Sequence, residues 1–135
     1  MFEVPLDTPI ECVHASDVGL ALANGITSQD IWGRVLLIGG GPSCRIRQRD
    51  LIEAHLDGYG IGMLPDEAFT TVPYYCSWMG SDTSDQLLRY QRTSFSAYVS
   101  EMQSASRTGR RLIRPMRPLL RRLIVSQSSR QRSLV

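Results

Sequence analysis

Residues 33–41 read GRVLLIGGG, a continuous aliphatic run from Val35 to Ile38 that ends in three glycines. Strands that are covered on both faces carry such uninterrupted apolar runs, whereas half-exposed strands alternate apolar with polar residues. The segment therefore predicts a buried strand in an α/β fold. The three glycines lack the G-x-G-x-x-G spacing of a dinucleotide-binding loop and precede Pro42, so we interpret them as a flexible exit from the strand.

A strand, a turn and a helix precede this run. The stretch 10–14 is short, apolar and β-branched and predicts a strand, and the apolar residues of 18–23 predict a helix. Ser16 or Asp17 is the expected N-cap, because either side chain accepts hydrogen bonds from the free amides of a first helical turn. Asn24-Gly25 marks the expected end of the helix.

Further helices are predicted after the run. Residues 46–57 place apolar side chains at helical spacing, and another helix is expected after residues 82–84. A last helix, capped by Ser94, carries an aromatic stripe that begins at Phe95. Residues 72–75 are the only strand-like piece in this part of the sequence. The total is two or three strands with three or four helices.

Charge divides the chain near residue 104. Residues 1–106 hold six arginines against all thirteen acidic residues, whereas residues 107–135 hold nine arginines and no acid. We therefore predict a folded body over residues 1–104 and an Arg-rich tail over residues 105–135 that is partly helical or disordered. The serines of its polar end are Ser126, Ser128, Ser129 and Ser133.

The chain contains no lysine, since all fifteen basic residues are arginine. Because a guanidinium stays protonated, these residues exclude a Schiff-base lysine, a Walker-type phosphate lysine and a Tyr-x-x-x-Lys reductase pair. His55 has no nucleophile or orienting acid at motif spacing. We therefore expect no catalytic residue in this chain.

The sequence gives little support for a metal site or a membrane-spanning segment. The three cysteines are odd in number and widely spaced, and Cys12 with His14 is the only close pair of candidate metal ligands. No window approaches the run of about 20 apolar residues that a membrane span needs, and the first residues do not read as a signal peptide. We expect no metal, no membrane span and a cytoplasmic location.

Several stretches occur in an order that resembles one family. They are VHASDV at 13–18, GRVLLIGGG at 33–41, RDLIEAHLDGYGIGMLP at 49–65, WMGSDTSDQLLRYQ at 78–91 and TSFSAYVSEM at 93–102. Together they are similar to the last third of the extended short-chain dehydrogenases/reductases, the NAD-dependent epimerase/dehydratase family. The resemblance covers roughly residues 9–103.

This resemblance implies a partial Rossmann-type fragment from the substrate-binding lobe of an NAD(P)-dependent epimerase, dehydratase or reductase. In the family, the Gly-rich cofactor loop, the catalytic serine or threonine and the Tyr-x-x-x-Lys pair lie upstream of the matched region, and none has a counterpart here. NAD(P) therefore belongs to the complete parent enzyme, and this chain alone is expected to bind none. Its expected partner is the missing N-terminal nucleotide-binding half, or another chain that supplies it, and alone it is expected to self-associate.

The matched region also supplies candidate site residues. The candidates for substrate binding are His14, Tyr74, Tyr75 and Trp78. For the two tyrosines and the tryptophan, simple packing is the alternative. The residues expected to be structural are Asp17, Gly39 and Gly40. Ile10 stands where nucleotide-sugar members often have a phosphate-binding arginine, so we expect a smaller or less charged carbonyl or hydroxyl substrate.

The Arg-rich tail supports an alternative from another class of function. Residues 119–125 would separate arginines from aliphatic residues on a short helix, as segments that bind anionic lipid or nucleic acid do. No base-stacking aromatic residue follows Tyr98, and Pro115 and Pro118 interrupt a longer helix, which argues against both the lipid and the nucleic-acid interpretation. The alternative is a non-catalytic binding module whose tail contacts a partner protein, anionic lipid or nucleic acid. A solvated tail, or one docked on the acidic body or on a sister subunit, is the simpler interpretation.

Overall fold

The structure is a computed structural model that describes residues 1–128. In chain order its elements are β1 (Pro9–Glu11), α1 (Ala15–Thr27), β2 (Arg45–Arg47), α2 (Gln48–Gly58), α3 (Asp82–Leu88), α4 (Phe95–Ala105), α5 (Arg107–Ile113) and α6 (Arg117–Val125). Short 3-10 turns occupy Pro42–Cys44, Asp66–Ala68 and Arg114–Met116.

The two strands form a small antiparallel sheet. The Cys12 N–H donates to the Cys44 carbonyl at 3.1 Å, and the Gln48 N–H donates to the Thr8 carbonyl at 3.0 Å. The residue numbers of the two strands therefore run in opposite directions. The predicted α/β composition is confirmed. Each strand is only three residues long, and the described residues contain more helices than the three or four expected.

The run at 33–41 is not a paired strand, contrary to the sequence prediction. Residues 34–41 belong to no helix or strand. Leu36 and Ile38 pack against the buried side chains of α1 and α3, whereas Val35 is 94% exposed and Leu37 51% exposed. This alternation is that of an extended strand with one covered face. Residues 72–75 likewise lie outside any strand.

Contacts divide the described chain into two units. The first unit contains Met1–Thr8, Arg47–Cys76 and the described residues from Val99 onward, and the second contains Pro9–Ile46 and Ser77–Tyr98. This division differs from the boundary expected between residues 104 and 105. The described part of the Arg-rich tail belongs to the first unit.

The first unit has an apolar core that includes the tail. Its buried residues are Ile52, Leu56, Leu64, Ala68 and Phe69. Ile124 and Val125 of α6 pack against this core, and the buried Ser128 hydroxyl donates to the Ala68 carbonyl at 2.6 Å. The tail is therefore helical and docked over residues 107–125. Ser129 and Ser133 of the expected polar end lie outside the described residues.

The second unit has a smaller core of Ala21, Leu88 and Tyr90. The N-cap of α1 is His14, whose side chain accepts a hydrogen bond from the Ser16 N–H, and not Ser16 or Asp17 as predicted. The helix also continues past the expected Gly25 stop and ends at Thr27. Tyr90 is fully buried, and its hydroxyl donates to the Gly39 carbonyl at 2.8 Å and accepts from the Gly39 N–H at 3.1 Å.

We predict that Tyr90→Phe lowers the free energy of unfolding by about 2 kcal/mol, because the buried Gly39 N–H loses its acceptor. Denaturant unfolding followed by circular dichroism measures the change. Tyr75→Phe is the matched control, since the Tyr75 side chain is fully exposed and should leave stability unaltered. Equal stability of the two variants would contradict the assigned role of Tyr90.

Candidate functional site

Glu11, at the end of β1, is a buried and extensively hydrogen-bonded side chain of the second unit, and only 1% of it is exposed. Its carboxylate accepts hydrogen bonds from the Gly41 N–H at 3.0 Å, the Met79 N–H at 3.1 Å, the Ser81 hydroxyl at 3.0 Å and Arg45 Nε at 3.0 Å. Burial acts to raise the pKa of Glu11, but the bonds from Arg45, Gly41 and Ser81 outweigh it and hold that pKa below its ordinary value. Glu11 is therefore an internal anion that joins distant loops to β1.

The three glycines at 39–41 form a tightly packed turn, and the prediction of a flexible strand exit is wrong. A Cβ on Gly40 would overlap the Cys12 carbonyl oxygen and the Cys44 side chain. Gly41 has φ +72°, which favours glycine, and a Cβ there would overlap the Gln91 side chain. Close approach of neighbouring groups is thus the physical reason for glycine at these positions.

These glycines do not fit a dinucleotide. A bound pyrophosphate needs backbone amides that are free to point at it. The Gly39 N–H already donates to the Tyr90 hydroxyl, and the Gly41 N–H donates to the Glu11 carboxylate. An internal carboxylate thus takes one of the hydrogen bonds that a phosphate would need.

Asp17 joins α1 to the segment that precedes α4. Its buried carboxylate accepts hydrogen bonds from the Arg92 N–H at 3.0 Å, the Thr93 N–H at 2.9 Å and the Thr93 hydroxyl at 3.0 Å. Burial acts to raise the pKa of Asp17, but these bonds, with one from Ser16, hold it below the ordinary value. The carboxylate is therefore used in a long-range contact and not as a helix cap.

The four candidate substrate-binding residues are divided between the units. His14, with its ring centroid 6.2 Å from that of Tyr98, and the partly exposed Trp78 belong to the second unit. Tyr74 and Tyr75 are exposed and belong to the first unit. Their shared role in substrate binding stays a prediction.

Metal-binding clusters and membrane-spanning helices are absent from residues 1–128. Within this range no three His, Cys, Asp or Glu side chains gather as a metal site requires, and all three cysteines are free thiols. No helix of these residues has both the length and the apolar character needed to cross a membrane.

An apolar groove lies beside the aliphatic run in the second unit. Its volume is about 390 Å³, and one face of α1 lines it together with Leu88, Leu36 and Ile38. Arg34 is the only charged residue in the lining. The groove therefore offers hydrophobic burial and one positive charge at its edge.

The backbone of the aliphatic run is unpaired. No N–H or carbonyl group from Val35 to Ile38 makes a hydrogen bond with residues 1–128, whereas Arg34 bonds to Ile31 and Gly39 bonds to Tyr90. We call residues 35–38 the open segment. Unpaired backbone groups on an extended apolar run are a template for pairing with another strand, so the open segment is the candidate interaction site.

Comparison of the chain with family models, with curated proteins and with solved structures found no match. The function is therefore inferred from the residues and their geometry.

We predict that Glu11→Gln lowers the free energy of unfolding by about 3 kcal/mol, because Arg45 and two backbone amides lose a buried anionic partner. Thermal or denaturant unfolding at neutral pH measures the loss. Asp66→Asn is the control, since the Asp66–Arg49 pair lies at the surface and solvent screens it. A loss for Glu11→Gln no larger than that for Asp66→Asn would contradict the account.

The effect of Glu11→Gln should also depend on pH. The pKa of Glu11 is depressed in the folded state, so its stabilisation is complete above the ordinary carboxyl pKa of about 4.3 and is lost as the pH falls through the folded-state pKa. The stability difference between the parent protein and Glu11→Gln should therefore shrink in acid. A difference that stays constant from neutral pH into acid would show that the charge of Glu11 is not what stabilises the fold.

Proposed function

We propose that this chain is the substrate-side part of an NAD(P)-dependent epimerase, dehydratase or reductase whose cofactor-binding half is another polypeptide segment. The open segment carries the proposal. It is apolar on both faces, one face is covered, and its backbone is unpaired. Those are the properties of a strand from the interior of a larger sheet.

The proposed fold is accordingly a Rossmann-type fragment. In that arrangement the open segment adds to a parallel sheet that the partner half contributes, and the exposed Val35 and Leu37 are covered by a further layer. Main-chain hydrogen bonds would then supply affinity, and the alternating side chains would set the register.

The chemistry of the residues fits a binding role and not a self-sufficient catalyst. Without lysine the chain lacks a Tyr-x-x-x-Lys pair, and the amides of Gly39 and Gly41 are already hydrogen-bonded. NAD(P) would supply the hydride chemistry when bound to the other half. The proposed contribution of this chain is substrate binding, with His14, Trp78, Tyr74 and Tyr75 as the candidate residues.

We predict that the chain alone does not bind NADH and that it does so only with its partner half. The reading frame upstream of Met1 is sequenced for a Gly-rich βαβ segment followed by Tyr-x-x-x-Lys, and the two pieces are co-expressed and purified together. NADH fluorescence is then titrated against each piece and against the complex. NADH binding by the isolated chain would contradict the proposal, as would an upstream frame without such a segment.

The co-expression also tests the open segment. Val35→Asp places an unpaired charge where the other half should pack, and should reduce the recovered NADH-binding complex about tenfold. Val72→Asp is the matched control, because Val72 is another exposed valine but belongs to the first unit. Equal recovery of the two variants would place the interface elsewhere.

A non-catalytic binding module is the second candidate function. The composition of the tail favours this function, because residues 107–125 are helical and hold seven arginines and no acidic residue. Such a concentration of positive charge attracts anionic partners at long range.

A further inference from the structure

The helical tail exposes an apolar stripe on the side that faces away from its core contacts. Ile124 and Val125 pack against the core of the first unit. The stripe residues recur at intervals of four, three and four positions, which places them on one helical face. Their exposed fractions are 72%, 52%, 54% and 55% for Leu112, Met116, Leu119 and Leu123. The tail therefore has one apolar face in the core and another in solvent.

The stripe extends over α5, the 3-10 turn Arg114–Met116 and α6. Residues 107–113, 114–116 and 117–125 follow one another without a gap, and the junction residues Arg114 and Arg117 both have right-handed helical dihedral angles. Pro118 lies in the first turn of α6, where the missing N–H removes no helical hydrogen bond. The two prolines interrupt a longer α-helix, as predicted, because α5 ends at Ile113, Pro115 lies in the 3-10 turn Arg114–Met116, and Pro118 lies in the first turn of α6.

Positive charge is concentrated in the same stretch of chain. All seven arginines of residues 107–125 are at least partly exposed, and the same range contains no acid. A cavity of about 580 Å³ in the first unit is lined by Arg121, Arg122, Pro65, Pro118 and Val125. Arginine side chains at an open cavity suit the oxygens of a phosphate group.

We propose that residues 107–125 bind the surface of a membrane that contains anionic phospholipids. The apolar stripe enters the boundary between headgroups and acyl chains, and the arginines contact headgroup phosphates. A helix that lies in the plane of the interface needs no spanning length, only one apolar face and a basic flank. The proposal is independent of the enzyme assignment.

The combination of features favours lipid over the other anionic partners. A nucleic acid would neutralise the arginines but leave the four aliphatic side chains in water, and no aromatic residue after Tyr98 is present to stack on bases. A surface of anionic lipids would bind the arginines and also bury the apolar side chains.

Vesicle flotation of the full chain tests the proposal. We expect binding to vesicles of phosphatidylglycerol mixed with phosphatidylcholine, about tenfold weaker binding to phosphatidylcholine alone, and loss of binding as salt is raised. The stripe variant, which combines Leu112→Gln, Met116→Gln, Leu119→Gln and Leu123→Gln, keeps every arginine and should lower partitioning about tenfold. The matched control combines Leu22→Gln and Ile26→Gln, two exposed apolar residues of α1, and should bind as the parent protein does.

Insertion is measured separately with a variant that changes only one position. Leu119→Trp should show extra fluorescence that is quenched by phospholipids with brominated acyl chains, relative to the parent protein with its own two tryptophans. Circular dichroism shows whether each variant is folded. If the stripe variant does not fold, the quenching of Leu119→Trp tests the proposal by itself.

Four results would overturn the proposal. They are equal vesicle binding by the stripe variant and the parent protein, full displacement from vesicles by soluble glycerol phosphate, binding to single-stranded RNA without binding to vesicles, and a stripe-dependent dimer that does not bind vesicles. Equal vesicle binding would show that the stripe does not enter the membrane. Each of the other three results would assign the tail to another partner.

Discussion

The positions of several loops in the second unit depend on a buried charge, the carboxylate of Glu11. An ion removed from water is tolerated only where hydrogen bonds and opposite charge replace its hydration. Glu11 meets this requirement by drawing its donors from Gly41, Arg45, Met79 and Ser81. Those residues are far apart in sequence, so a single side chain fixes the relative positions of β1, the glycine turn and the loop before α3.

The open segment follows from that constraint. Glu11 and Tyr90 hold the glycine turn, and the turn fixes the end of the aliphatic run, so that Leu36 and Ile38 face the small core. Period-two alternation then leaves Val35 and Leu37 in solvent, and the backbone between them has no partner within residues 1–128. A fixed yet unpaired apolar strand is an interaction site by its physical nature. The same chain presents a second, separate surface in the first unit, where the tail exposes arginines and an apolar stripe.

Local signals were sufficient to predict most of the helices. The apolar spacing of residues 46–57 agrees with α2, and the Ser94 hydroxyl accepts from the Ala97 N–H at the start of α4, as its position suggested. The strand prediction for 33–41 failed because a β-strand needs a neighbouring strand to pair with. The apolar run carries no information on whether such a neighbour is present. The role of Glu11 was missed because its donors are up to 70 residues away. The available signal was a charged residue inside the short apolar stretch that forms β1.

Amide hydrogen exchange of residues 35–38 tests the central claim most directly. In the isolated chain, at a concentration where sedimentation shows a monomer, the account predicts exchange near the rate of an unfolded peptide, while the amides of the neighbouring α1 are protected. Protection should appear when the partner half binds. Slow exchange of these amides in the isolated monomer would mean that the segment is already paired, and would contradict both the open segment and the function built on it.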